Sequence, residues 1–356
     1  MGAIHHVRIV GTGLIGTSIG LALAQQGISL SLYDKDGSAL NLASDLLRES
    51  LSNEKPDLVV IATPPQSVLS ALKDEFERNP KSCFIDITSV KNNLLLEVEG
   101  LTEIAQRFVG THPMAGRERT GASSAQADLF QGRAWVVCPN QHTKPEVREI
   151  VVGLIELLGA TPYVMNAKQH DELMAQISHT PQILSTILAG SLLQMNPELA
   201  SGIELSGQGL RDMTRIAGSD GALWAQILTE NSSSVSDFLL DFERELENFR
   251  LALVGGDSKT ILDFFNKGNS GQLKISGKHG AKPRNYTHLL IVIKDEPGAL
   301  SELFNECAKL NANIEDLSIE HSPGQLTGLI TLAFSPEDAQ IVKNHLIAKD
   351  WKVHQR

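Results

Sequence analysis

The sequence predicts an α/β protein in three parts, and three observations predict it. Short β-rich runs alternate with helical stretches over residues 1–166; the β-rich runs then vanish as far as residue 268; and a strand–helix–strand–strand–helix–strand order occupies residues 285–356. The first pattern implies a mostly parallel sheet with helices on both faces. Its strand candidates are "HHVRIVG", "SLSLYD", "DLVVIATP", "SCFIDITSV", "RFVGTHP", "RAWVVCP" and "TPYVMNA". "TSIGLALAQQG", "VLSALKDEFERN" and "PEVREIVVGLIELLG" are the helices between them.

Over residues 167–268, "HDELMAQISHTPQILSTILAGSLLQM" and "SVSDFLLDFERELENFRLALV" repeat apolar residues every three or four positions, which predicts an all-α domain. Long apolar helices with no sheet to cover bury their second face in a partner subunit, so a homodimer is expected. Residues 269–284, rich in Gly, Lys, Ser and Asn, read as a linker whose Lys278, His279, Lys282 and Arg284 form a solvated connector. The βαββαβ order after it is that of a ferredoxin-like unit.

Composition narrows the function. With 42% hydrophobic and 21% charged residues, the 356-residue chain is globular with ample core. No apolar run approaches the ~18–20 residues that span a bilayer, and "MGAIHHVRIVGTG" lacks a signal-peptide pattern; cytoplasmic localisation without a membrane partner is expected. A net charge of −11 argues against nucleic acid, and requires that any anionic substrate be held by local cations. Cys83, Cys138 and Cys307 are too scattered for a disulfide framework or a metal site.

"VRIVGTGLIGTSIG" places Gly11, Gly13 and Gly16 in GxGxxG between a strand and a helix. Gly11 permits the tight turn, Gly13 the approach of a pyrophosphate and Gly16 close helix–strand packing, while Thr12, Leu14 and Ile15 complete the loop. Asp34, ending the second strand, suits both ribose hydroxyls and repels a 2′-phosphate, so a Rossmann-type domain binding NAD is expected. Asp34 is equally placed to cap the next helix. Thr63 and Pro64, ending "IATPP", line the same crevice or merely stop a strand.

"DITSVK" and "GTHPMAG" end successive strands, so Ser89, Lys91 and His112 project toward the nicotinamide edge, where His112 is either a catalytic group or a turn imidazole. His179 in "SHTP" stands mid-helix. Arg211 and Arg215, one helical turn apart beside Asp212, suit a carboxylate or form a solvated face.

The ordered set GxGxxG, "DITSVK", "THPMAG", "SHTP" and "RDMTRIAGSD" resembles the prephenate/arogenate dehydrogenase family of tyrosine biosynthesis over residues 7–250. The final unit, with "DEPGALSELF", resembles an ACT domain. The resemblance implies NAD-dependent oxidative decarboxylation of prephenate to 4-hydroxyphenylpyruvate, with arogenate as the alternative substrate. It implies that His112 bonds the substrate's C4 hydroxyl, that Ser89 orients His112 beside the nicotinamide, and that Arg215 holds a carboxylate. His179 then contributes from the helical domain, and Asp212 tethers Arg215. Glu118 matches an acidic loop position that bears on the keto or amino side chain, or else pairs with Arg117 or Arg119; Trp224 packs the helix core. Tyrosine or a related amino acid is expected to inhibit by binding near Asp295, Gly298, Ala299, Leu300 and Asn313, unless this unit serves assembly alone. A β-hydroxyacid or imine reductase and a non-catalytic NAD-dependent amino-acid sensor fit the bare domain pattern, but neither requires these motifs.

Overall fold

The computed structural model describes residues 4–116, 121–196, 198–275, 286–294, 296–321 and 327–355. It falls into two compact units, Met1–Glu247 and Asn248–Arg356. The first is built on a seven-stranded sheet of order β2-β1-β3-β4-β5-β6-β7, comprising β1 (His6–Val10), β2 (Ser29–Tyr33), β3 (Leu58–Ile61), β4 (Cys83–Asp86), β5 (Phe108–Pro113), β6 (Ala134–Pro139) and β7 (Thr161–Val164). All neighbours are parallel except β5 and β6. The expected α/β fold with a mostly parallel sheet is the one observed.

Strands buried on both faces read as unbroken apolar runs, and "LVVI" of β3 is buried at every position. On one face Val7, Ile9, Val60 and Ile85 pack with Ile19 and Leu23 of α1 (Leu14–Gln25) and with Val151 and Leu154 of α6 (Pro145–Leu157). On the other, Val59, Ile61 and Phe84 pack with Val68 and Leu72 of α3 (Pro65–Arg78) and Leu95 of α4 (Asn92–Glu99). The helix expected after Asp34 is α2 (Gly37–Leu46), whereas α4 escaped the sequence reading; a short α5 (Thr102–Ala105) follows α4. The strand order reverses between β2-β1 and β3, which opens a crevice at the carboxyl ends of β1 and β3.

The helical part follows as α7 (Ala167–Met174), a π-helical segment Ala175–His179, α8 (Thr180–Ser191), α9 (Gln208–Thr214), a 3₁₀ turn Arg215–Gly218, α10 (Gly221–Glu230) and α11 (Ser232–Gly255). The second compact unit holds α12 (Ser258–Gln272) and a four-stranded sheet of order β11-β8-β10-β9. Its strands are β8 (Thr287–Lys294), β9 (Asp316–His321), β10 (Thr327–Phe334) and β11 (Lys352–Gln355), with α13 (Ala299–Lys309) and α14 (Pro336–Ala348) over one core. All pairs are antiparallel, the ferredoxin-like arrangement that the βαββαβ order implied. The linker reading needs one correction: residues 269–272 continue α12, where Asp257 caps the first turn and the Asn and Gly residues stay helical. The basic residues Lys278, His279, Lys282 and Arg284 lie outside the described residues.

Candidate active site

A cavity of about 770 Å³ opens at the crevice between β1 and β3. Gly11, immediately after β1, has φ +103°, and a Cβ there would stand 2.3 Å from the Ala62 carbonyl oxygen; a Cβ on Gly16 would stand 2.0 Å from that of Gly11. Gly13 has nothing within 4 Å on its Cβ side. The glycines at 11 and 16 thus close the turn against β3, while Gly13 leaves open space beside the start of α1. Asp34 lines the cavity. Its Oδ2 accepts from the Thr12 amide at 2.6 Å and the Thr12 hydroxyl at 2.9 Å, and its Oδ1 accepts from the Asp36 amide at 2.9 Å. Burial raises its pKa, but these hydrogen bonds outweigh it and hold the carboxyl below its ordinary value. The cap of α2 is Asp36, so Asp34 is left to the cavity. Thr12 is fully buried and turned onto Asp34 rather than into the cavity, which corrects its expected direct role. Leu14, Ile15, Thr63 and Pro64 line the cavity, and the buried Thr63 hydroxyl has no partner among the described residues. An open glycine face, an orphaned hydroxyl and a carboxylate that lines the cavity fit a dinucleotide.

Ser89 and His112 reach the same cavity from the ends of β4 and β5. Ser89 is half-buried, but Nδ1 of His112 is committed to His170, with Nε2 of His170 at 2.9 Å. Nδ1 of His170 lies 2.7 Å from Oδ1 of Asp171. Burial, assisted by His170, Lys91 and His179, holds the His112 pKa well below that of an ordinary imidazole. Lys91 does not project into the cavity, as the strand-end reading had it. It is fully buried and paired with Asp86, and Asp86 also accepts from Thr88 and from the Thr111 amide. That pair ties β4 to β5 behind His112.

From the helical part, α10 contributes Leu223, Gln226 and Ile227 to the cavity, with Asp220 capping its first turn. His179 ends the π-helical segment, a deviation common at functional sites. It is fully buried, 5.9 Å from the Trp224 ring, and its Nδ1 lies 3.1 Å from Nδ2 of Asn231. Burial lowers its pKa, Asp171 opposes and His170 adds to the lowering, which brings it to about 4.

The profile of the prephenate dehydrogenase nucleotide-binding domain matches residues 19–164, and that of the prephenate dehydrogenase dimerization domain matches residues 166–267. The chain belongs to the prephenate dehydrogenase family. A probable prephenate dehydrogenase, NovF, of Streptomyces niveus is 29% identical over 96% of this chain and 98% of its own. The prephenate dehydrogenase of Lactococcus lactis is 28% identical over 90% of this chain and 92% of its own. The crystal structure of the A. aeolicus prephenate dehydrogenase with hydroxyphenyl propionate and NAD+ superimposes with a TM-score of 0.70 at 25% identity, covering 77% of this chain and 99% of that one. The enzyme class and cofactor read from the sequence are those of the family: an oxidoreductase whose first domain binds NAD.

Not every residue expected from the family pattern meets at the cavity. Arg211, Asp212 and Arg215 are exposed and His179 is fully buried, and none of the four lines it; α9 ends at Thr214, so the two arginines do not share a regular helical face. Arg211 Nη2 points at the Ser206 carbonyl oxygen at 3.4 Å, and Asp212 accepts from Gln208 at 2.8 Å. The Arg215–Gly218 turn is tied to α8 by Gln182, whose Nε2 donates to the Ile216 carbonyl at 2.9 Å. Glu118 lies outside the described residues. His170, Asp171, Asn231 and Gln226 were missed. A paired "HD" at the start of a predicted helix was the only local signal for the first two, and nothing in spacing pointed to the others.

Proposed function

We propose that this protein oxidatively decarboxylates prephenate to 4-hydroxyphenylpyruvate with NAD+. One observation carries the reading: a single cavity is lined by the dinucleotide turn with Asp34 and by Ser89 and His112 from adjacent strand ends. Gly11, Gly13, Asp34 and Thr63 hold the dinucleotide, and when bound the nicotinamide accepts a hydride. His112, neutral near pH 7, bonds the C4 hydroxyl and takes up its proton, help typically worth ~10²–10⁴ in rate. Ser89 orients the ring side of the site. His179 holds the substrate from the helical part, and Arg215, on a turn fastened to α8, pairs with a carboxylate that this acidic chain would otherwise repel. Mixing the protein with NAD+ and prephenate and following 340 nm absorbance together with 4-hydroxyphenylpyruvate tests the reading. Absence of both products overturns it, and faster turnover of arogenate reassigns the substrate.

The proposal extends to organisation. Residues 1–166 form the NAD-binding domain, 167–268 the substrate and dimerisation domain, and 285–356 an ACT-type module that takes tyrosine or a related amino acid. Leu193 and Leu205, 91% and 88% exposed, are apolar surface that a second copy covers in a homodimer. The enzyme is cytoplasmic; no described helix is long and apolar enough to cross a membrane.

A further inference from the structure

Asp171 stands where α7 meets α4, and two main-chain amides donate to its carboxylate. Oδ1 accepts from the Lys91 amide at 2.9 Å and Oδ2 from the Asn92 amide at 2.8 Å, at the N-terminus of α4, where a helix favours negative charge. Oδ1 also faces Nδ1 of His170. A carboxylate only accepts, so His170 Nδ1 carries the hydrogen and, in the neutral ring, its Nε2 is a lone pair. That lone pair faces Nδ1 of His112 at 2.9 Å. Nδ1 of His112 is therefore the donor, and its Nε2 is an acceptor. The main-chain carbonyl of Asp171 acts on the other histidine. It accepts from Nδ2 of Asn231 at 2.7 Å, and the same amide nitrogen, which can only donate, lies 3.1 Å from Nδ1 of His179. His179 Nδ1 accepts, so its Nε2 carries the hydrogen; that buried Nε2 has no partner among the described residues.

We propose that Asp171 sets opposite tautomers on two buried histidines, making Nε2 of His112, at the cavity, a proton acceptor through His170 and Nε2 of His179 a hydrogen-bond donor through Asn231. What this does in catalysis rests on the dehydrogenase reading above. The C4 hydroxyl breaks its O–H bond toward His112 Nε2 as C4 gives up its hydrogen with the bonding pair and the oxygen becomes a carbonyl. The C1–carboxylate bond then breaks, carbon dioxide leaves, and the bonding pair enters the ring. The oxygen takes the same proton back as a phenol, so the proton is only lent. His112 must hold it among groups that resist positive charge: the Lys91 cation, His170 and His179. Asp86 offsets Lys91, and the Nδ1–H bond through His170 to Asp171 carries the remaining compensation. His170, Asp171 and Asn231 are thus positioning residues that never touch the substrate. The uncharged Nε2–H of His179, buried outside the cavity lining and without a protein partner among the described residues, would suit a carbonyl or carboxylate oxygen of the substrate.

Nitrogen-15 NMR of histidine-labelled protein, assigned with His112→Asn and His179→Asn, reads both tautomers without substrate. The expected result is Nδ1–H at His112 and Nε2–H at His179; the reverse form at either ring overturns the proposal. In Asp171→Asn the amide NH₂ must face one of three donors, and His112 is expected to change tautomer. With prephenate, Asp171→Asn and His170→Phe should lower kcat roughly 10²–10⁴-fold while KM and NAD+ affinity stay within a fewfold. Asn231→Leu should mainly raise KM. Wild-type kcat and pH profile in His170→Phe would overturn the relay. A wild-type enzyme with the stated tautomers but no turnover of prephenate would remove the dehydrogenase reading and leave the tautomer assignment standing.

Discussion

His112 is a base that its surroundings keep uncharged, and this has a measurable consequence. An ordinary imidazole would lose its acceptor near pH 6.5, whereas burial beside Lys91 and two further histidines keeps this ring neutral well below that. We therefore expect kcat to stay level between pH 8 and 6, rather than halving near 6.5; a midpoint there would show an exposed, ordinary histidine. His112→Asn should bind NAD+ normally and lose about 10²–10⁴ of turnover. At the other end of the crevice, Asp34 is ionised and lines the cavity, where the proposed function gives it the ribose hydroxyls. Asp34→Asn should raise the NAD+ Kd about ten- to hundredfold, the scale of a lost charged hydrogen bond, and narrow the preference over NADP+, as read by titrating both cofactors. Gly11, Asp34 and His112 were legible because each sits at a strand end with a local signature. His170 was not, since its pairing with His112 bridges a separation of 58 residues and only folding brings strand and helix together.

Elements carry the site through a buried ion pair that no periodicity announces. Lys91 and Asp86 have no exposed side-chain surface, and with Thr88 and Thr111 they join the end of β4 to β5. Gly110 lies beside them: a Cβ there would stand 2.6 Å from Leu95 Cδ1 and 3.2 Å from Lys91 Cδ. Lys91→Met should cost about 3–5 kcal/mol in denaturant unfolding, because it strands a buried carboxylate, and adding Asp86→Leu should recover much of the loss. A double mutant no more stable than Lys91→Met would place the pair's value in its remaining hydrogen bonds. The strand–helix alternation made the sheet readable, since strands buried on both faces are continuous apolar runs. Helix interruptions were less so. The i and i+4 spacing of Arg211 and Arg215 implied one helical face, yet the backbone tightens to a 3₁₀ turn at Arg215. Conversely, "NSGQ" reads as linker by composition and is helix, because α12 is already nucleated by the Asp257 cap and elongation costs little per residue.

The two compact units should answer acid at different pH. In the first, an unfolded histidine takes up a proton near pH 6.5, while folded His179 does not until about pH 4 and folded His112 resists likewise. Between those values the unfolded chain binds the extra proton, so stability falls as pH drops below 6.5. In the second, Lys309, Lys349 and His345 surround Glu306, joining α13 to α14 and bringing its carboxyl down to about 2. That contribution is intact above the unfolded value of 4.5 and is lost only as pH falls toward 2. Calorimetry at pH 7, 5.5 and 4.5 should show the transition of the first unit moving down while that of the second holds; joint movement of both would refute this. Gly298, at φ +97°, opens α13 at the turn where the proposed effector would bind, and Asn313 Nδ2 donates to Glu315 at 2.9 Å; Asp295 lies outside the described residues. The ferredoxin-like unit has its own core, and under the proposal it lowers turnover by binding an amino acid that the dehydrogenase part senses. Tyrosine should therefore inhibit the full chain and leave a form lacking residues 285–356 uninhibited at equal NAD+ and prephenate. Because coupling is reciprocal for binding, prephenate should also weaken tyrosine binding to the full chain by the same factor that tyrosine weakens prephenate binding. Identical tyrosine titration curves for the two forms would reduce this unit to assembly.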